Sequence, residues 1–288
     1  MAPRRWGRRA GKPRTVLVIE GGGMKAAYAN GVLSSFEEAG HAPWDAVYGT
    51  SAGGAMAAWY SAGQARYAEK TWDYAADRRI LSYRRALLRR GPILDHDALL
   101  EIIYETERPI DQEAVRNAEW PIYVSAVDVH SGSVVYTDLR EAPIIPWLKA
   151  TGRLPFAAGD PVHIEGRDYL DGGIGDPIPV YKAVEDGATD VTLILNTQIG
   201  PRRRDNGALA RYTARKYPAL RQGILHHQEL KQAAIHYAED PPKGVKIRIV
   251  RPDHPTGLHR LSRDLNVIHE GLRRGREDGR KFLKSLEE

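Results

Sequence analysis

The sequence predicts an α/β fold on a mostly parallel sheet, and three observations near its start predict it. Thr15 to Ile19 (TVLVI) is a β-branched run without polar alternation, the pattern of a strand buried on both faces. Gly21-Gly22-Gly23 breaks that strand, and a helical pattern follows from Lys25 to Gly40, which is placed as a C-cap. The motif then repeats: Asp45 to Tyr48 reads as a second buried strand, Gly49 ends it, and a helix-like stretch runs from Gly53 to Gly63. Strand, glycine turn and helix, twice over, is the alternation of a parallel sheet with helical crossovers.

Later elements follow from the same rules. Asp95 is placed to cap a helix over HDALLEIIYETE, whose apolar residues recur at helical spacing. Ile122 to Val129 and Val134 to Thr137 flank His130-Ser131-Gly132-Ser133 and predict an antiparallel hairpin. A second hairpin is expected around Gly166, between Val162-His163-Ile164 and Tyr169-Leu170. Asp190 to Asn196 and Lys246 to Val250 complete the strands, and a charged helical stretch begins at Ser262. With no internal repeat and no clear linker, residues 15–288 are expected to form one domain behind a basic arm, residues 1–14.

Composition narrows the function classes. With 42% hydrophobic and 27% charged residues and a mean hydropathy of −0.47, the chain has the balance of a soluble globular protein. No run approaches the roughly 18 apolar residues of a membrane-spanning helix. Cysteine is absent, which excludes disulfides, thiolate ligands and a cysteine nucleophile, and fits a reducing compartment; a cytoplasmic location is expected. Much of the net charge of +5 lies in MAPRRWGRRAGKPR, read as a solvated, disordered arm, with a second basic cluster in the loop Pro201-Arg202-Arg203-Arg204. The apolar stretch VLVI is too short for a secretory h-region. Charge alone does not argue for nucleic acid, and no nucleic-acid partner is expected.

Three motifs carry chemistry. Gly49-Thr50-Ser51-Ala52-Gly53 fits G-x-S-x-G between a strand and a helix. A turn that sharp strains the central residue, and glycines two positions away on either side remove the clashes. Ser51 then sits at a helix N-terminus, where free amides favour developing negative charge. The second motif, Glu20-Gly21-Gly22-Gly23-Met24-Lys25, exposes several amides to which an oxyanion has direct access. It also satisfies the loose dinucleotide pattern through Gly21, Gly23 and Ala26, but the next strand ends in Tyr48 without the acidic residue that pattern requires. The third is Asp171-Gly172-Gly173, an aspartate whose two glycines permit close approach to another backbone. Asp176 competes for the same role, yet its place before Pro177 reads as an N-cap followed by proline at the first helical position.

In this order, GGG-x-[RK], GTSAGG and DGG resemble the patatin-like phospholipase family. The likeness extends to Leu154-Pro155-Phe156, to Val162-His163-Ile164-Glu165-Gly166 and to Asp176-Pro177-Ile178-Pro179, and runs from about Thr15 to Asn196. The tail Arg260-Leu261-Ser262-Arg263-Asp264 resembles one bacterial branch. The resemblance implies an α/β/α sandwich, no metal or other cofactor, and a Ser–Asp dyad acting on lipid acyl esters. By position, Ser51 would be the nucleophile, Asp171 its base, and the amides of Gly21, Gly22 and Gly23 the oxyanion hole, with Lys25, Gly49, Ala52, Gly53, Gly172 and Gly173 in support. Ala26 replaces a usual glycine, and Lys25 stands where many relatives carry arginine.

Three other readings stay open at this stage. An α/β-hydrolase triad has its chain order available, because six histidines (His226, His227, His236, His254, His259 and His269) follow Asp171. A nucleotide-binding module would use only the glycine loop, and a silent relative would bind without turnover. Peripheral membrane contact is expected, if anywhere, at Trp147-Leu148-Lys149 and Leu154-Pro155-Phe156.

Overall fold

A computed structural model describes residues 14–88, 91–155, 157–197 and 207–288. Residues 1–13 of the basic arm, Phe156 and the cluster 201–204 therefore lie outside the described residues.

The chain opens with β1 (Thr15–Ile19), a 3-10 turn (Gly23–Ala26) and α1 (Ala27–Glu38), then β2 (Ala46–Thr50) and α2 (Ala52–Ser61). Five short helices fill the connection to β3 (Ile122–Asp128): α3 (Ala65–Ala68), α4 (Thr71–Ala75), α5 (Tyr83–Leu87), α6 (His96–Glu101) and α7 (Gln112–Arg116). Next come β4 (Val134–Asp138), α8 (Ile144–Thr151), β5 (Val162–Ile164), β6 (Arg167–Asp171), α9 (Val180–Glu185) and β7 (Asp190–Ile194). The last elements are α10 (Ala208–Lys216), α11 (Arg221–Leu225), α12 (His227–Glu239), β8 (Lys246–Val250) and α13 (Leu265–Lys284).

Among the described residues, eight strands form one sheet in the order β5-β6-β3-β2-β1-β7-β8, with β4 also paired to β3. From β3 through β8 the pairings are parallel, while β4, β5 and β6 add an antiparallel flank. Alternate residues of the central strands enter opposite cores, which is why those strands read as continuous apolar runs. Leu17, Ile19 and Val47 pack with Val32 and Phe36 of α1, Trp59 of α2 and Leu272 of α13. Val16, Val18, Tyr48 and Leu193 pack with Ala183 of α9 and Ala234 of α12 on the other face. Each buried valine, leucine, isoleucine or phenylalanine among them contributes about 1.5–3 kcal/mol by leaving water. The result is a sheet covered by helices on both faces.

Two glycine contacts tie the C-terminal helix to the first. A Cβ on Gly275 of α13 would lie 2.1 Å from the carbonyl oxygen of Tyr28, and one on Gly31 of α1 would lie 2.1 Å from that of Leu272. The helices therefore meet backbone to backbone, and the Tyr28 hydroxyl donates to Asp278 at 2.9 Å across the seam.

Local expectations and structure differ in four places. β2 runs past Gly49 to Thr50, because β1 holds Gly49 on one side and β3 holds Gly49 and Thr50 on the other. The helix expected from Lys25 opens as a 3-10 turn, since the glycine loop feeds it at a positive φ of 56° at Gly23. The helix capped by Asp95 ends at Glu101 and continues as a π turn over Ile102–Thr106. Asp176 caps no helix: α9 begins at Val180, and the Asp176 carboxylate accepts the Tyr136 hydroxyl instead.

Candidate active site

Ser51 is the single residue between β2 and α2, with φ 56° and ψ −132°. An L residue held there costs about 1–3 kcal/mol, so the surroundings must enforce it. They do so through the flanking glycines. A Cβ on Gly49 would lie 2.5 Å from the carbonyl oxygen of Gly53, and one on Gly53 would lie 2.5 Å from that of Glu20. The Ser51 amide donates to Thr151 Oγ1 at 2.9 Å, which fixes the turn from the C-terminal end of α8.

Asp171 reaches this turn through the sheet. β2 and β6 pair with the same edge of β3 from opposite directions, and their C-terminal ends meet: Thr50 lies opposite Ser125 and Asp171 opposite Ala126. Ser51 Oγ donates to Asp171 Oδ2 at 2.7 Å across 120 positions of sequence. The other oxygen, Oδ1, accepts the Gly173 amide at 2.7 Å, and the Asp171 amide donates to the Arg153 carbonyl at 3.0 Å. Gly172 lies against Ser125, where a Cβ would meet the Ser125 carbonyl oxygen at 2.5 Å. Asp171 is 1% exposed and Ser51 8%. Burial pushes the Asp171 carboxyl up to about 6, while the hydrogen bonds from Ser51 and Gly173 and the charge of Arg260 pull the other way.

The glycine loop closes the site from the end of β1. Its three amides are not equivalent. Gly21 donates to the Pro177 carbonyl at 3.2 Å and is thereby occupied, which corrects the expectation that all three amides face a substrate. Gly21 instead lets the loop press on the elbow, since a Cβ there would lie 2.9 Å from the Thr50 carbonyl oxygen. The amides of Gly22 and Gly23 have no acceptor among the described residues, and both glycines line the cavity beside Ser51. Lys25 lies in the following 3-10 turn, Ala52 opens α2, and neither lines that cavity.

The cavity holds about 310 Å³. Leu154, Pro155, Ile174, Pro177 and Ile224 make its apolar wall, and His227, Lys231 and Arg260 bring cationic or titratable groups. Lys231 is neutralised by buried Glu20 at 2.5 Å, whose second oxygen accepts the Asn196 amide at 2.6 Å. Arg260 donates to Nε2 of His227, and Nδ1 of His227 faces the Gly173 carbonyl at 2.8 Å. These two partners call for an acceptor at Nε2 and a donor at Nδ1. Among the described residues, no group of three or more His, Cys, Asp or Glu is arranged to hold a metal ion.

Sequence reasoning did not single out Thr151, Arg153, Arg260 or His227 for these contacts. Each acts across the fold, without local spacing that marks it. The expected membrane-facing loops also differ: Trp147 and Leu148 are buried, with Trp147 4.9 Å from the Tyr169 ring, because α8 packs its apolar face on the sheet. Leu154 and Pro155 line the cavity.

Comparison with known proteins adds an independent view. The family model described as patatin-like phospholipase matches residues 17–184, and that of a domain of unknown function (DUF6363) matches residues 217–288. An uncharacterized protein of Escherichia coli K12, YjjU, is 26% identical over 293 residues, spanning 95% of this chain and 78% of that protein. Among solved structures, VipD from Legionella pneumophila is similar with a TM-score of 0.49 and 12% identity, over 96% of this chain and 67% of that one.

Proposed function

The chain belongs to the patatin-like phospholipase family, and on that premise we propose that it cleaves acyl esters of lipids with Ser51 as nucleophile and Asp171 as its base. The observation that carries the proposal is the 2.7 Å hydrogen bond from Ser51 to Asp171. It joins a serine on a strained elbow to a buried carboxylate, beside two glycine amides without acceptors among the described residues.

In the first step Ser51 Oγ attacks the ester carbonyl as its proton passes to Asp171 Oδ2. The amides of Gly22 and Gly23 receive the negative charge that develops on the carbonyl oxygen. Asp171 returns the proton to the leaving alcohol, takes one from water as water attacks the acyl-serine, and passes it to Ser51 Oγ as the acid departs. General-base help contributes about 10²–10⁴ in rate and one oxyanion donor about 10²–10³.

The rival readings fit less well. The Ser51 hydroxyl is engaged by Asp171, and both His227 nitrogens are engaged elsewhere, so the triad lacks its relay. The glycine loop shares its cavity with Ser51 and Asp171, whereas a nucleotide site would have them remote. A fluorophosphonate probe tests the assignment: it should modify Ser51, and labelling of another residue in active protein would refute the assignment.

The proposal extends to peripheral contact with an anionic bilayer surface. Tyr83, Leu87 and Leu88 are 50%, 83% and 48% exposed, next to exposed Arg84. The Tyr83 hydroxyl donates to the Leu261 carbonyl at 3.4 Å, one residue from Arg260 at the cavity. Apolar side chains interleaved with arginine suit the boundary between anionic head groups and acyl chains. Among the described residues, no helix is long and apolar enough to cross a membrane.

A further inference from the structure

Acyl transfer by Ser51 and Asp171 uses Arg260 only as a nearby charge that favours ionised Asp171, and leaves most of its hydrogen-bond donors without a role. Arg260 lines the cavity, yet it forms no ion pair with any carboxylate among the described residues, whereas Lys231 in the same cavity is neutralised by Glu20. Its one side-chain partner among those residues is the His227 imidazole, so most of its five N–H donors have no acceptor there. The imidazole is itself fixed to the base-bearing turn through the Gly173 carbonyl. The backbone of Arg260 is anchored separately, because its carbonyl accepts the Met24 amide at 3.1 Å beside the glycine loop. The outcome is an exposed guanidinium at the cavity, fixed at its backbone and by one side-chain contact, whose charge no ion pair among the described residues neutralises.

We infer that Arg260, steadied by His227, forms a subsite for a phosphate group that the substrate carries beside its ester bond. This rests on the acyl-hydrolase reading and names the substrate class within it. A guanidinium fork matches phosphate oxygens in pairs, with stronger bonds than neutral donors make. The apolar wall of Leu154, Pro155, Ile174 and Ile224 receives an acyl chain, and the glycine amides receive the carbonyl oxygen. A lipid with one acyl chain and a phosphate close to its ester presents those three groups together. Inorganic phosphate shares the anionic chemistry without the chain.

The test compares lysophosphatidate with a monoacylglycerol of the same chain, which differ only in the phosphate. The full chain should favour lysophosphatidate in kcat/KM, and Arg260→Gln should reduce that preference about tenfold or more, mainly through KM. Arg260→Lys should restore part of it, because charge returns without the fork. Equal losses on both substrates, or no loss, overturn the subsite. Since the backbone anchor does not involve the side chain, these variants keep the loop contact, and circular dichroism checks their fold.

Binding separates the two proposals. Equilibrium titration of Ser51→Ala with each lipid measures the preference without turnover, and adding Arg260→Gln to that background should abolish it. Binding preference without hydrolysis by the unmutated chain would support the subsite and defeat the acyl-hydrolase reading. Hydrolysis without any preference would do the reverse. Competition by inorganic phosphate that Arg260→Gln removes supports a site for phosphate itself. Preference without such competition supports a site that reads phosphate only within the lipid.

Discussion

Thr50 and Asp171 stand side by side along one edge of β3, the first opposite Ser125 and the second opposite Ala126. Two strands that run toward each other thus end at adjacent rungs of one ladder. The separation between Ser51 and Asp171 is set by backbone hydrogen bonds of the sheet, so the pair is assembled before substrate arrives.

Removing the hydroxyl should end catalysis and leave the fold. Ser51→Ala is expected to lose hydrolysis of a short-chain nitrophenyl ester and all probe labelling. Ser51→Gly should also be inactive but melt at a higher temperature than Ser51→Ala, because glycine adopts φ 56° without strain while alanine does not. The expected difference is about 1 kcal/mol. Near wild-type turnover by folded Ser51→Ala would remove the serine from the mechanism.

The base should be the aspartate and not a histidine. Asp171→Asn is expected to lower kcat by about 10²–10⁴. Replacing each of the six histidines after Asp171 by Gln should leave kcat within about tenfold. One histidine variant as impaired as Asp171→Asn would favour the triad.

The pH profile should report the buried carboxyl. Asp171 accepts a proton only when ionised, and burial places its ionisation at about 6. Activity should therefore rise with pH through about 6 and then level off. Arg260 favours the charged form, so Arg260→Gln should move the midpoint upward. A midpoint that moves down, measured as kcat/KM on a soluble neutral ester, contradicts this electrostatic picture.

The same burial has a stability cost with a definite sign. Folded protein holds the Asp171 proton up to about pH 6, and the unfolded chain releases it near the ordinary value of 3.8. Between these values the folded state binds the extra proton, so stability falls as pH rises through that window. Above it, the charged form costs about 3 kcal/mol. Asp171→Asn should consequently raise the melting temperature at pH 8 and have much less effect at pH 4, checked by thermal melts at both values. A stabilisation that is larger at the lower pH would contradict the assignment.

Interfacial contact is testable by sedimentation with vesicles. The unmutated chain should pellet with vesicles rich in phosphatidylglycerol more than with phosphatidylcholine alone. Leu87→Asp with Leu88→Asp should reduce that binding severalfold. Unchanged binding by the double variant would place the contact elsewhere.

How much was legible in sequence depended on the range of the interaction. TVLVI announced a strand because burial on both faces removes polar residues from it. Gly49 was legible for a local reason, since it answers a clash with Gly53 within one turn, whereas Gly53 answers the Glu20 carbonyl at the end of β1. The occupied amide of Gly21 was not, since its acceptor is Pro177, far along the chain. Thr151 and Arg260 left no local trace either, because each meets the site only after the sheet has folded. Trp147 shows a different limit, for an aromatic residue in an apolar stretch serves a core and a membrane equally well.

The close seam between α1 and α13 has a mechanical consequence. α1 begins at the 3-10 turn that leaves the glycine loop, and α13 begins five residues after Arg260. Helices that meet backbone to backbone at Gly31 and Gly275, with side chains packed around those points, resist sliding past each other. The two sides of the cavity attached to them are thus carried on one rigid frame. The backbone hydrogen bond from Met24 to the Arg260 carbonyl, at 3.1 Å, adds a second tie between those two sides.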